Sequence, residues 1–330
     1  MADLEQEIRT GKIGNVHGVM ALHHGQTVAE WYFTGQDERR GEPLGSVAFG
    51  PDQPHDVRSV TKSVVGILFG IAVRDGAIGA LDAPVLDYFP EHADLRTPER
   101  LKIRLRDILS MSSGLAWDER TYPYTDPRNS EIAMDLAPDR YRYILSRPLS
   151  AAPGTHFTYS GGDVALAAAV ITRATHKPLE VYAEEKLFAP LGIHAEWLKD
   201  SAGIPYAASG LRMRPRDMGA LGQLVLQNGQ WRGRTIVPEG WVGTMTEQHA
   251  EAHPGQPCGT QYGYLWWLGK ICAPDGGRPF FLAVGNGGQT IWIVPSLDLV
   301  IVTTLGLYNE PAGDAESGEI ALRLMGAIGD

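Results

Sequence analysis

Residues that favour β-structure gather at the two ends of this chain, and helical patterns fill the stretch between them. Residues 16–34 hold two β-leaning runs around His24-Gly25-Gln26, a hairpin signal. Beyond Pro257 come short aromatic and β-branched runs at 262–268, 279–284, 289–294 and 297–304, separated by Gly, Pro, Asp or Asn. Between them, helical patterns occupy 59–74, 98–110, 130–146, 162–175, 178–188 and 215–228, and a last one closes the chain at 315–328. One sheet must therefore draw strands from both termini. The pattern predicts an α+β fold, an α/β/α sandwich whose antiparallel sheet is flanked by helices and carries an inserted helical subdomain. As one domain over 1–330, the sheet part would take 1–80 and 255–330, and the helical part 81–254.

Charge narrows the partners. The formal net charge of −10 argues against nucleic acid or an anionic membrane, both of which need clustered Lys and Arg. The longest apolar run, Val64 to Val73, is too short to span a bilayer and suits a buried helix. The polar start, Met1-Ala2-Asp3-Leu4-Glu5, lacks a basic n-region and apolar core, so a cytoplasmic location is expected. Cys258 and Cys272 are then expected to be free thiols. The oligomeric state is not written in these residues.

The chemistry concentrates at Arg58-Ser59-Val60-Thr61-Lys62, at the start of the most apolar helical stretch. Positions i and i+3 share a helix face, which would bring the Ser59 Oγ and the Lys62 amine within hydrogen-bond reach. Burial would lower the lysine pKa and make it a usable base. The helix N-terminus would favour a developing serine alkoxide. A second feature, Pro153-Gly154-Thr155-His156-Phe157-Thr158-Tyr159-Ser160-Gly161-Gly162, delivers a phenol into a small-residue loop ahead of a helix. A third, Val284-Gly285-Asn286-Gly287-Gly288-Gln289, places glycines at the edge of a strand, where another group can approach the backbone. It lacks the Gly-Lys-Ser/Thr ending and following helix of a phosphate loop.

Taken together, Ser59-Val60-Thr61-Lys62, Tyr159-Ser160-Gly161 and Asn286-Gly287-Gly288 resemble the three motifs of the serine β-lactamase and penicillin-binding-protein-like hydrolases. The likeness is greatest to the branch holding carboxylesterases and 6-aminohexanoate-dimer hydrolase. Supporting stretches are Leu81-Asp82-Ala83-Pro84-Val85, Ile108 to Leu115, Ala208-Ser209-Gly210-Leu211 and Val294-Pro295, and the order holds over 16–325. The resemblance implies a β-lactamase/transpeptidase-like fold and an acyl-enzyme on Ser59. Lys62 and Tyr159 would handle protons, either of them as the primary base. The backbone N–H groups of Ser59 and Gln289 would hold the oxyanion. No cofactor and no metal would be required.

Two departures shape the substrate. Asn286 stands where the family carries a lysine, removing a fixed cation for a substrate carboxylate. Gly161 stands where an asparagine is common, removing an amide. Both point away from penicillins and toward small esters or linear amides, with Asn286, Gly287, Gly288, Gly161, Trp117, Tyr122 and Tyr124 as the expected substrate wall. Asp118 or Glu119 would pair with a substrate amine. Of Trp266 and Trp267, one is expected in the core and the other near the cleft. Other readings remain open: an acyltransferase on the same scaffold, a β-lactamase or D-amino-acid peptidase, or a non-catalytic binding protein. His249 and His253, with Glu247 and Glu251, have helical metal-ligand spacing but lie in a Pro- and Gly-flanked loop, so no metal is expected there. Arg212, Arg214 and Arg216 are expected to form a solvated edge.

Overall fold

The computed structural model describes residues 1–254, 259–271 and 277–329, so Cys258 and Cys272 lie outside the described residues. Its frame is a seven-stranded sheet in the order Gln261–Tyr262, Trp267–Ile271, Arg278–Gly285, Gln289–Val294, Leu299–Leu305, Val16–His23 and Gln26–Tyr32. The ladders among these strands are antiparallel, and Val16–His23 lies between its hairpin partner and a strand from the far end of the chain. The hairpin turns at His24 and Gly25, both at positive φ, as a two-residue turn between twisted strands requires.

Side chains along the strands alternate between two cores, as period-2 geometry demands. Val19, Ala21, Leu299 and Ile301 join Leu4 and Ile8 of the helix Ala2–Arg9 and Ile320 and Leu324 of the helix Ala312–Gly329. Met20, Leu22, Val300 and Val302 face the other way, into a larger core with the helices Val60–Arg74, Gly161–Thr175 and Pro215–Leu226. Three layers result, as the distribution of β-leaning residues predicts. The helix Pro215–Leu226 lies directly on the sheet: a Cβ at Gly219 would touch Leu22 and Met20. The sheet layer thus reclaims the chain well before residue 255.

Several segments are more broken than their patterns suggest. The 130–146 stretch divides into Ser130–Leu136 and Arg140–Leu145 around Pro138, which cannot donate in a helix interior. Residues 98–110 give only a 3₁₀ turn, Arg100–Lys102, and the short helix Leu105–Leu109. The 262–268 run is interrupted at 263–266, where Leu265 takes a positive φ. Among the described residues, no helix is long and apolar enough to cross a membrane.

The helix Val60–Arg74 is apolar on all sides and buried from Val60 to Ala72, because it runs between the sheet and the helical layer. Its two glycines make that packing possible. At Gly70 the Trp241 ring fills the space a Cβ would need, and Trp241 Nε1 donates to the Gly66 carbonyl at 3.1 Å.

Candidate active site

Ser59 immediately precedes that helix, with its backbone already in the αR region. Arg58 before it is held at φ 48°, a left-handed conformation that only surrounding contacts can maintain in a non-glycine residue. Those contacts are an ion pair to Glu38 and the Tyr308 ring, whose centroid lies 4.8 Å from the guanidinium. The turn is pinned from below as well. Thr61 Oγ1 donates to the Arg58 carbonyl at 2.6 Å and accepts from Leu211 N at 3.1 Å, and Val57 N donates to the Leu211 carbonyl at 3.0 Å.

One helical turn on, Lys62 is 1% exposed and its Nζ donates to Ser59 Oγ at 3.0 Å. It also donates to the Ala208 carbonyl at 3.0 Å and lies 3.9 Å from Glu131 Oε2. The Tyr159 ring stands across from it, its centroid 4.9 Å from Nζ. The i, i+3 spacing thus brings serine and lysine together, and the loop ahead of the helix Gly161–Thr175 brings the tyrosine to them.

The electrostatics correct the expectation for Lys62. Burial alone pulls its pKa down, but Tyr159, Glu131 and Glu119 together outweigh that and raise it, so the ammonium form is favoured. Burial pushes the Tyr159 phenol up, and the Lys62 ammonium and the Ser59 hydroxyl work against that rise. Burial and the nearby Glu131 carboxylate push the Glu119 carboxyl up to about 7, against Lys62, the Gly161 N–H and the Trp117 indole.

Glu131 is the site residue that no motif announces. It sits on the first turn of Ser130–Leu136, capped by Asn129, whose Oδ1 accepts from Glu131 N at 3.0 Å. Asn129 Nδ2 also donates to the Tyr122 carbonyl at 2.8 Å, folding the 119–131 loop onto itself. Glu131 Oε1 accepts from Ser209 Oγ at 3.0 Å, and among the described residues its buried Oε2 has no hydrogen-bond partner. The absence of a side chain at residue 161 makes room for this: a Cβ there would stand 2.5 Å from Glu131 Oε2 and 3.2 Å from Glu119 Oε2. Two carboxylates occupy the space in which the family asparagine would stand.

The cleft in front of Ser59 has a volume of about 780 Å³ and is lined on one side by Tyr122, Tyr124 and Tyr159 and on the other by Trp267, Leu282, Val284, Thr290 and Trp292. Asn286 and Gly287 join the wall. A smaller lobe of about 180 Å³ opens on the other side of Ser59, between Arg40, Arg58, Tyr124 and Asn286. Trp267 stacks on Tyr159 with ring centroids 5.7 Å apart, while Trp266 is 1% exposed and belongs to the core.

Three members of the expected wall do not line the cleft. Trp117 is 8% exposed, because its indole turns inward to donate to Glu119 Oε2 at 2.6 Å and packs on the helix at Gly162. Gly161 is buried, its N–H spent on Glu119 Oε2 at 2.7 Å. Gly288, at φ 92°, packs against Leu305 and the Gly313 backbone. Gln289 pairs with Gly285 across the 286–288 turn, and its side-chain amide donates to the Leu305 carbonyl. Asp118 accepts from Arg120 N at 3.2 Å and Thr121 N at 3.0 Å, closing its own turn, whereas Glu119 lines the cleft and accepts from Trp117 Nε1 and Gly161 N. Arg212 is not a solvated edge: it is 4% exposed and paired with Asp56. His249 and His253 do not converge, since the first bonds the Thr244 carbonyl and the second Thr260 Oγ1.

A serine hydroxyl fixed at a helix start beside a buried amine and a phenol, on this three-layer scaffold, is the arrangement expected of a serine hydrolase. More narrowly, the chain belongs to the beta-lactamase family, whose model, described as Beta-lactamase, matches residues 4–323. It is 25% identical over 325 residues to a 6-aminohexanoate-dimer hydrolase of Paenarthrobacter ureafaciens, covering 92% of this chain and 74% of that one. It is 30% identical over 206 residues to a lovastatin esterase of Penicillium rubens, covering 54% of this chain and 49% of the other. Among solved structures, a putative 6-aminohexanoate-dimer hydrolase from Bacillus anthracis superposes with a TM-score of 0.76 at 22% identity, over 96% of this chain and 80% of that chain.

Proposed function

We propose that this enzyme hydrolyses small esters or linear amides through an acyl-enzyme on Ser59. The observation that carries the reading is the 3.0 Å contact between Lys62 Nζ and Ser59 Oγ at the floor of a cleft that Tyr159 also lines. Ser59 Oγ attacks the substrate carbonyl and its proton passes to the Tyr159–Lys62 pair. Lys62 as an ammonium cannot take that proton, so the acceptor is Tyr159 in its phenolate form, which burial disfavours and the Lys62 ammonium favours. The same phenol then protonates the leaving alcohol or amine, and water cleaves the ester. The N–H groups of Ser59 and Gln289 are assigned to the oxyanion.

The cleft supports a substrate with a flat or apolar body. Trp267, Leu282, Val284 and Trp292 offer carbon surface, and Asn286 offers a neutral hydrogen bond where a lysine would have selected a carboxylate. Asp314, which lines the cleft as Glu119 does, joins Glu119 in place of Asp118 as a candidate partner for a substrate amine. The two relatives above bear names of both kinds, an amide hydrolase and an esterase.

Turnover of short p-nitrophenyl esters and of a linear aminohexanoate amide, by the wild type and by Ser59→Ala, tests this. The mutant is expected to lose roughly 10⁵-fold or more in kcat and to take no fluorophosphonate label. A wild type that turns over neither substrate class and accepts no label overturns the reading.

A further inference from the structure

We propose that His17, Asp37 and His55 form a site for a divalent first-row metal ion, with Zn²⁺ the ion that the donor set fits best. His17 lies on Val16–His23, Asp37 on Thr34–Arg39 and His55 on His55–Asp56, and they are 0%, 6% and 0% exposed. One ligand atom from each falls within 4.8 Å of the others. His17 Nδ1 and His55 Nε2 are 2.7 Å apart, and His55 Nε2 is 3.6 Å from Asp37 Oδ1.

The outer hydrogen bonds fix which nitrogen of each ring carries the proton. Asn15 Nδ2 donates to the Gln36 carbonyl at 3.0 Å while Asn15 Oδ1 accepts from Gln36 N at 2.9 Å, so this amide cannot be turned round. His17 Nε2 lies 3.1 Å from that same Oδ1 and must donate to it, leaving a lone pair on Nδ1. His55 Nδ1 lies 3.1 Å from the Asp56 carbonyl and must donate there, leaving a lone pair on Nε2. Two lone pairs and a carboxylate oxygen therefore point at one another in a buried space. The Tyr308 hydroxyl, 3.3 Å from Asp37 Oδ1 and 3.4 Å from His55 Nε2, can donate to one of them, and a positive centre between the three satisfies the rest.

A single proton between the ring nitrogens, 2.7 Å apart, cannot also serve Asp37 Oδ1, which lies 3.6 Å from His55 Nε2. A metal ion matches the pattern in full. Metal-bound histidines direct their other ring N–H at an oxygen acceptor, as both rings do here. Zn–N bonds of about 2.0–2.1 Å in a tetrahedron set ligand atoms roughly 3.3 Å apart, so the two rings need separate by only about half an ångström. With an ion bound to both rings, the Tyr308 hydroxyl is free to donate to Asp37 Oδ1, 3.3 Å away, and orient that carboxylate. Water would complete the coordination.

The position suggests a brace rather than a catalyst. His55 precedes Ser59 by four residues, and Tyr308 also covers Arg58. An ion here ties the first sheet strand and the 34–48 hairpin to the segment that delivers the nucleophile.

The test uses the full chain, stripped with a chelator and titrated with Zn²⁺ by calorimetry and with Co²⁺ by visible absorption. The wild type is expected to take one tight equivalent, to show the d–d bands of four-coordinate Co²⁺ and to melt at a higher temperature with Zn²⁺. Asp37→Asn should weaken binding at least about tenfold, and His17→Gln should abolish the tight equivalent, while His249→Gln should leave it intact. If a histidine variant fails to fold, the nearly isosteric Asp37→Asn and the Co²⁺ spectrum of the wild type decide. A wild type without a tight equivalent, or an Asp37→Asn protein that binds as the wild type does, overturns the proposal.

Discussion

Residues 55–62 run between two buried polar clusters. On one side Lys62 is surrounded by groups that accept its hydrogen bonds or balance its charge: Ser59, the Ala208 carbonyl, Glu131 and Glu119. On the other, His17, Asp37 and His55 turn acceptors toward one another. The first cluster carries its own cation, so burial does not strip Lys62 of its proton. The second has carboxylate and imidazole acceptors on which Arg58 and Arg212 act without a hydrogen bond to them among the described residues, and it becomes coherent once a positive ion is supplied. Burial by itself therefore decides neither protonation state nor ligand binding. The sign of the neighbouring groups does.

The largest expected break in this comparison comes from removing the resident cation. Lys62→Met should cut kcat by roughly 10²–10⁴ and lower stability by on the order of 3 kcal/mol, because Glu131 and Glu119 lose their counter-charge. Denaturant melts and ester kinetics read both. A mutant as stable as the wild type would mean that the carboxylates do not depend on Lys62.

Next comes Gly161→Asn, which restores the amide common elsewhere in the family. The new Cβ would stand 2.5 Å from Glu131 Oε2, so the variant should lose about 1–3 kcal/mol. Removing the carboxylate in the Gly161→Asn/Glu131→Ser double mutant should return much of that loss. Losses that simply add would show that the glycine and the glutamate do not share the space.

A smaller effect lies in pH. The Glu119 carboxyl is held at about 7 in the folded protein against an ordinary value of 4.5, so the folded state keeps the proton longer. Its contribution is complete below 4.5 and is lost as pH rises to about 7. His17, held at about 4 against 6.5, acts in the opposite sense, with stability gained as pH climbs through that window. Glu119→Gln should flatten the fall in Tm over the first window and leave the gain. The flattening is partial, because Asp135, held up to about 6, loses stability over the same range. A Tm–pH curve that keeps its slope contradicts the assignment.

Smallest of all is the coupling between the two clusters. With metal removed, Lys62→Met and Asp37→Asn should add to within about 0.5 kcal/mol. A larger interaction energy would mean that residues 55–62 transmit strain from one cluster to the other.

How much of this was legible in the sequence depends on how the residues meet. Ser59 and Lys62 are one helical turn apart, so periodicity alone pairs them, and the sheet shared by both termini follows from where the β-leaning runs fall. Glu131 reaches Lys62 only because Asn129 folds a loop over a glycine at 161, and no spacing rule encodes that. Trp117 reads as a cleft aromatic from its loop, yet its indole needs a buried acceptor and finds Glu119. Likewise, His17, Asp37 and His55 come from separate strands, and only folding aligns their lone pairs. The lysine pKa escapes the sequence for the same reason: burial is visible in the apolar pattern, but the carboxylates that oppose it come from distant positions.

The strand Val16–His23 has a consequence for how the molecule is made. Its inner neighbour, Leu299–Leu305, leaves the ribosome roughly 270 residues after the hairpin has emerged. At about 5–20 residues per second, that is a wait on the order of 10–60 s. During it, Val19, Met20, Ala21 and Leu22 have no completed layer to cover them. The hairpin must be sheltered, or held by transient partners, until the last strand arrives. Completion of this sheet is therefore timed by the arrival of Leu299–Leu305 rather than by the making of the hairpin.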